Sequence, residues 1–146
     1  MDPGERVTLN PQPIPPGIVW MTAAVAIAVA AILAAWGSFS DNGDFGDYWP
    51  VLLIIGFVAA IVFGLVVPRG LSGAWSPATT GLVLSVLGLL TVAVFWSGAP
   101  PIFALAGILL GYVAGQRGAG MMATAAIGVG VLALVADAII YIGDQT

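Results

Sequence analysis

Apolar residues along this chain gather into five long blocks, and nearly all the charged ones lie between them. The blocks are 17–36 (GIVWMTAAVAIAVAAILAAW), 50–67 (PVLLIIGFVAAIVFGLVV), 77–96 (PATTGLVLSVLGLLTVAVFW), 101–115 (PIFALAGILLGYVAG) and 119–142 (AGMMATAAIGVGVLALVADAIIYI). A bilayer core about 30 Å thick is crossed by a helix of roughly 20 apolar residues. The pattern therefore predicts an all-α integral membrane bundle with five transmembrane helices, residues 17–146 forming one domain behind a Pro-rich tail, 1–16. The fourth block is short, reaching only ~22 Å at 1.5 Å per residue. Either local thinning of the bilayer accommodates it, or it is re-entrant and the helices cross four times.

The breaks between blocks carry their own signals. Pro50, Pro77 and Pro101 fit a first helical turn, where a missing N–H costs nothing. Ser76 is placed to cap the helix opened by Pro77. Pro68 and Gly70 are expected to stop the second helix. The segments SGAPP (97–101) and GQRGAG (115–120) read as tight turns.

Aromatic residues support this segmentation. Trp20, Trp36, Trp49, Trp75 and Trp96 fall at or near helix ends, as do Tyr48, Tyr112 and Tyr141. That is where an indole or phenol can keep its ring dry and its polar atom wet. With five crossings, Arg6, Arg69 and Arg117 share one face, and Asp41, Asp44, Asp47 and Asp144 share the other. Arginines favour the inner side, so the N-terminus is expected in the cytoplasm and the C-terminus outside. The first sixteen residues include Asp2 and Glu5 and one arginine, unlike the basic start of a signal peptide.

Composition narrows the chemistry. Of 146 residues, 60% are hydrophobic and 7% charged, for a net charge of −4, and mean hydropathy is +1.10. A soluble domain carries roughly 25% charge. There is no cysteine, histidine or lysine, so disulfides and the usual zinc, haem and iron–sulfur ligands are missing. No basic patch suits nucleic acid, no cofactor is implied, and no serine has a base beside it for nucleophilic catalysis. GQRGAG lacks the Lys-Ser/Thr and preceding strand of a phosphate loop.

Small residues recur at helical spacing. Gly56, Ala60 and Gly64 lie four apart on the second helix, and Gly107, Gly111 and Gly115 on the fourth. The first helix has Ala26, Ala30 and Ala34, and the third has Gly81, Ser85 and Gly88. Such rows let helix backbones approach in lipid. Either they all pack this bundle, or one, most readily that of the Gly-rich fourth helix, meets a partner or a second copy. On the fifth helix Ala123, Ala126, Gly130, Ala133 and Asp137 form one stripe at 100° per residue. Asp137 is thus expected to point inward, nearer the outer interface than the centre. A charged Asp at mid-membrane costs ~2.5–3.5 kcal/mol, less near the edge. Thr91 stands at matching depth as its candidate hydrogen-bond partner. One carboxylate with one hydroxyl suits an interhelical contact better than a proton relay, which needs a chain of partners.

The loop DNGDFGDYWP (41–50) offers Asp41, Asp44 and Asp47 as weak Ca²⁺ or Mg²⁺ ligands. Their spacing matches neither an EF-hand nor an RTX repeat. An exposed acidic turn, with Asp47 capping the second helix, reads as well.

The last three blocks have a cadence of their own. TGLVLSVLGLLTVAVFW, FALAGILLGYVAGQR and GAGMMATAAIGVGVLAL resemble the small bacterial membrane modules grouped as domain-of-unknown-function family 4190. The resemblance covers roughly residues 79–135, with Gly88, Gly107, Gly111, Arg117, Gly120 and Met121 at matching positions. The chain departs from it in having a single arginine in the basic turn and two added N-terminal helices. Its richness in Ala, Gly and Val resembles that of high-GC actinobacterial proteins. The resemblance implies a multi-pass module of a bacterial plasma membrane with no assigned enzymatic role. The function expected is that of a non-enzymatic accessory or structural subunit, meeting another membrane protein or itself through small-residue faces. The alternative is a small transporter or channel component that uses Asp137.

Overall fold

The computed structural model describes residues 13–40 and 45–144. They form α1 (Pro16–Ser40), α2 (Phe45–Ile61), a π-helical turn (Val62–Val66), α3 (Val67–Leu71), α4 (Pro77–Thr91), a 3₁₀ segment (Val92–Ser97), α5 (Ala99–Gln116) and α6 (Gly120–Asp144). No strand occurs among the described residues. α2, the π turn and α3 run on as one rod, giving five helices long and apolar enough to cross a membrane: Pro16–Trp36, Tyr48–Leu71, Pro77–Val94, Ala99–Gln116 and Gly120–Gly143. The protein is an all-α helical bundle of membrane type.

α5 is the axle. Two-thirds of its span is buried inside the chain, against a third or less for each of the others. α4 and α6 grip one side of it, and α1 with α2 lean on the other. The grip depends on glycine. A Cβ on Gly81 would lie 2.9 Å from the Gly111 nitrogen, and one on Gly88 3.0 Å from the Ala104 nitrogen. α1 turns a row of alanines inward: Ala23, Ala26, Ala30 and Ala34 are all buried, beside Ile102 and Ala106 of α5. With the same apolar solvent on every outer surface, this close backbone approach is what draws the helices together. Tyr48 adds a polar tie, its hydroxyl donating to the Ala31 carbonyl at 2.9 Å.

Two prolines sit differently from the sequence expectation. Pro50 lies inside α2, which begins at Phe45. Its ring is tolerated because the carbonyl it deprives belongs to Gly46, close to the helix start. Pro68 does not stop the second span. The chain widens into the π turn just before it, with the Val67 N–H reaching back to Val62. An i→i−5 turn relaxes the clash a proline ring makes with the turn before it. Helix then continues to Leu71. Gly70 is a contact point and not a terminator, since a Cβ there would meet Leu110 Cδ2 at 2.9 Å. The third span ends in a 3₁₀ turn broken at Val94 (φ −121°, ψ 45°).

The α4–α5 turn is sunk into the bundle. Gly98, in the left-handed region at φ +67°, would press a Cβ to 2.6 Å from Ile55 and 3.6 Å from the Ala30 Cβ. Trp36 and Trp49 each stand six residues nearer the helix ends than Ala30 and Ile55, or about 9 Å at 1.5 Å per residue. The turn therefore lies below the aromatic belt at that end. Its buried helix start is satisfied economically. Pro100 and Pro101, both fully buried, have no N–H to strand, and the Ala99 N–H reaches Ser97 Oγ at 3.3 Å.

Candidate functional site

Asp137 is the one carboxylate whose side chain lies among the described residues, and it is 1% exposed. Its stripe faces inward, with Ala123, Ala126 and Ala133 buried and Gly130 closed over by Ile108 and Ala104 of α5. α5 runs antiparallel to α6. Counting seven residues up α6 from Gly130, and seven back from Ala104, brings Asp137 level with Ser97, two residues before α5 begins (~1.5 Å per residue). The carboxylate thus shares the depth of the broken 3₁₀ segment, just beyond the α5 N-terminus, where a helix presents partial positive charge.

Thr91 does not serve as its partner. The Thr91 hydroxyl donates within its own helix, to Leu87 at 2.8 Å and Gly88 at 3.0 Å. A helical threonine always has that carbonyl within reach, and without water nothing competes for it. Among the described residues Asp137 Oδ1 is buried with no hydrogen-bond partner. Tyr141, one turn further on and 6% exposed, shares its face. A buried polar oxygen left unpaired is costly, so the position invites a proton, a cation or a further donor.

The small-residue rows divide sharply. Gly107 and Gly111 are buried against α4 and α6, and Gly130 is within van der Waals reach of Ser85 Oγ. Ser85, wholly buried, donates to the Ala126 carbonyl at 2.6 Å. This bond was hidden in the sequence, although the Gly81–Ser85–Gly88 spacing placed Ser85 on a contact face. Gly115 lies at the margin, where an added Cβ would be 3.6 Å from the Ala123 Cβ, in a shallow opening shared with Tyr112 and Gly120. The second helix departs from the expectation that every row packs this bundle. Gly56 and Gly64 have nothing within 4 Å of a Cβ, and Ala60 is exposed. What α2 turns inward is the adjacent row of Ile55, Ala59, Val62 and Phe63. The Gly-rich fourth helix, expected to be the freest for a partner, is the most enclosed.

Asp41 and Asp44 fall outside the described residues, as does the side chain of Asp47. The backbone places Asp47 as the third residue of α2, inside the first turn and not at its cap. Among the described residues no group of three or more potential metal ligands exists.

At the opposite end from Asp137, Arg117 closes the α5–α6 turn. Its Nη2 donates to the Leu71 carbonyl at 2.6 Å, tying that turn to the end of α3. Beside it opens a cavity of about 460 Å³ between α1 and α3. Arg69 lies at the same end, its guanidinium 5.6 Å from the centre of the Trp75 ring.

No family model, curated protein or solved structure matches this chain.

Proposed function

We propose that this protein is a non-enzymatic accessory subunit of a bacterial plasma membrane, docking on another membrane protein or a second copy through the outward face of its second span. The carrying observation is the division of the small-residue rows. Those on α4, α5 and α6 are occupied inside the bundle, save Gly115 at its margin, whereas Gly56, Ala60 and Gly64 present a bare backbone track to the outside. A smooth track flanked by Leu53 and Phe57 (71% and 69% exposed) suits close approach by another helix. The N-terminus is cytoplasmic in this reading and the C-terminus outside, supported by arginines at one end and aspartates at the other. The resemblance of residues 79–135 to family 4190 favours the same class.

The chain has no cysteine, which makes the test direct. Ala60→Cys protein in native membranes is expected to form an oxidative crosslink to a copy, or a bifunctional crosslink to a partner. Val83→Cys, exposed on α4, should form neither. Gly56→Leu should abolish the Ala60 crosslink while leaving the thermal midpoint unchanged. An uncrosslinked Ala60→Cys chain would mean that lipid alone covers this face.

A second reading rests on the unpartnered Asp137 Oδ1: a transporter or channel component that moves a proton or cation past this carboxylate. Flux into liposomes carried by the parent and lost in Asp137→Asn would establish it in place of the subunit reading.

A further inference from the structure

The cavity beside Arg117 is built like a phospholipid seat. Its walls are apolar, formed by Val19 and Trp20 of α1, Phe63 of the π turn and Leu71 of α3, and its rim carries Ser72 and Arg117. A cavity of about 460 Å³ has room for part of an acyl chain. Trp20 is 69% exposed and four residues into α1, the depth at which indoles meet headgroups. Phe63, in the π turn, lines the inner wall of the cavity and is itself 4% exposed. Pro16 opens α1 along the same edge.

Among the described residues the polar rim has one sign. Arg117 uses Nη2 for Leu71, which leaves Nη1 and Nε unengaged among the described residues. A guanidinium offers five N–H donors in a fixed fork suited to phosphate. The carboxylate of Asp137, the one described, lies at the far end of α6, twenty residues on from Arg117. The Leu71 bond also fixes the guanidinium in place, so less side-chain freedom is lost on binding.

We infer that this groove binds an anionic phospholipid from the leaflet on the arginine side, its phosphate on Arg117 and one acyl chain along Val19, Trp20 and Phe63. Basic positions between spans at a membrane surface favour acidic headgroups in this way. The inference is independent of the docking face on α2 and of Asp137.

The test is native mass spectrometry of the full chain released from vesicles of equal phosphatidylglycerol and phosphatidylcholine. The parent should retain one phosphatidylglycerol with a roughly fivefold preference over phosphatidylcholine, the size expected for a single surface arginine. Arg117→Gln should erase the preference, and Arg117→Lys should keep most of it. Arg117→Gln also removes the tie to Leu71, so Val19→Phe serves as the second variant. It fills the groove without touching the arginine and should lower retention of both lipids. Equal retention of the two lipids by the parent would overturn the inference. So would an unchanged preference in Arg117→Gln, or unchanged retention in Val19→Phe. Displacement of the bound lipid by millimolar inorganic phosphate would overturn it too, marking a simple anion site instead.

Discussion

Ser85 on α4 donates to the Ala126 carbonyl on α6 at 2.6 Å, directly beside the point where Gly107 of α5 leaves no room for a side chain. Three helices meet there through one hydrogen bond and one missing methyl, and the two contribute unequally. Interhelical hydrogen bonds in lipid are worth about 0.6 kcal/mol on average and at most ~1.7. An added methyl in a closed contact costs typically ~1–3 kcal/mol, and here it would meet the Ser85 backbone as well as its hydroxyl. Gly107→Ala should therefore lower the thermal midpoint in detergent clearly more than Ser85→Ala. Gly56→Ala, on the open face of α2, should leave it unchanged or raise it slightly, alanine being the better helix former.

Gly98 faces two demands at once, a left-handed φ of +67° and a gap too small for a Cβ against Ile55. Conformation alone charges alanine about 1–2 kcal/mol there. The rest of the penalty is steric, against Ile55 Cδ1 and Cγ1 at 2.6 Å each, and shortening Ile55 to valine removes the Cδ1 half of it. Gly98→Ala should be strongly destabilising, with part of the loss recovered in Gly98→Ala/Ile55→Val. An Ile55→Val change that adds its own loss to Gly98→Ala, with no recovery, would mean the α4–α5 turn does not sit against α2.

Four of the five long helices could be read from the sequence because a bilayer leaves little alternative for 18 or more apolar residues; the 15-residue fourth block became long enough only once the structure added Ala99, Pro100 and Gln116 to it. The inward face of each span could not. In a soluble helix polarity marks the outside, whereas in lipid both faces are equally apolar. On α2 the row Gly56, Ala60, Gly64 and the row Ile55, Ala59, Val62 differ by one residue of rotation, and nothing in their composition says which meets α5. Asp137 was the exception, since a carboxylate does mark a face, and its stripe was legible. Its supposed partner was not, because Gly88 and Gly130 meet α5 at the same residue, Ala104, which leaves Thr91 about a turn short of Asp137 (~1.5 Å per residue), and Thr91 has its own carbonyls closer at hand. The passage of helix through Pro68 was illegible for a related reason: a π turn has no sequence signal beyond the proline it accommodates.

The Thr91 geometry makes its own prediction. A hydroxyl bonded only within its helix contributes little to packing, so Thr91→Ala should shift stability by no more than about 0.5 kcal/mol. Asp137→Leu, by contrast, replaces an unpaired buried oxygen with a group of similar bulk. That exchange is neutral or stabilising where the carboxylate has no partner. A raised midpoint in Asp137→Leu, with Thr91→Ala silent, is the expected pair of results from thermal unfolding. A clear loss in Asp137→Leu would show that the carboxylate holds the fold together through contacts to Oδ2.

The proposed orientation yields the last prediction. Arg69 and Arg117 lie at one end of the bundle, joined through the contact of Arg117 with Leu71, and five crossings put the two ends of the chain on opposite sides. Single cysteines placed in this cysteine-free chain read the topology without background. Thr8→Cys and Gln116→Cys should be shielded from a membrane-impermeant maleimide in intact cells and labelled after permeabilisation. Gln145→Cys should be labelled in both. The re-entrant alternative for 101–115 reverses the Gln145 result and leaves Thr8 unchanged, because four crossings return the C-terminus to the cytoplasm. Labelling of Thr8→Cys in intact cells would reverse the whole assignment, against the arginine bias that supports it.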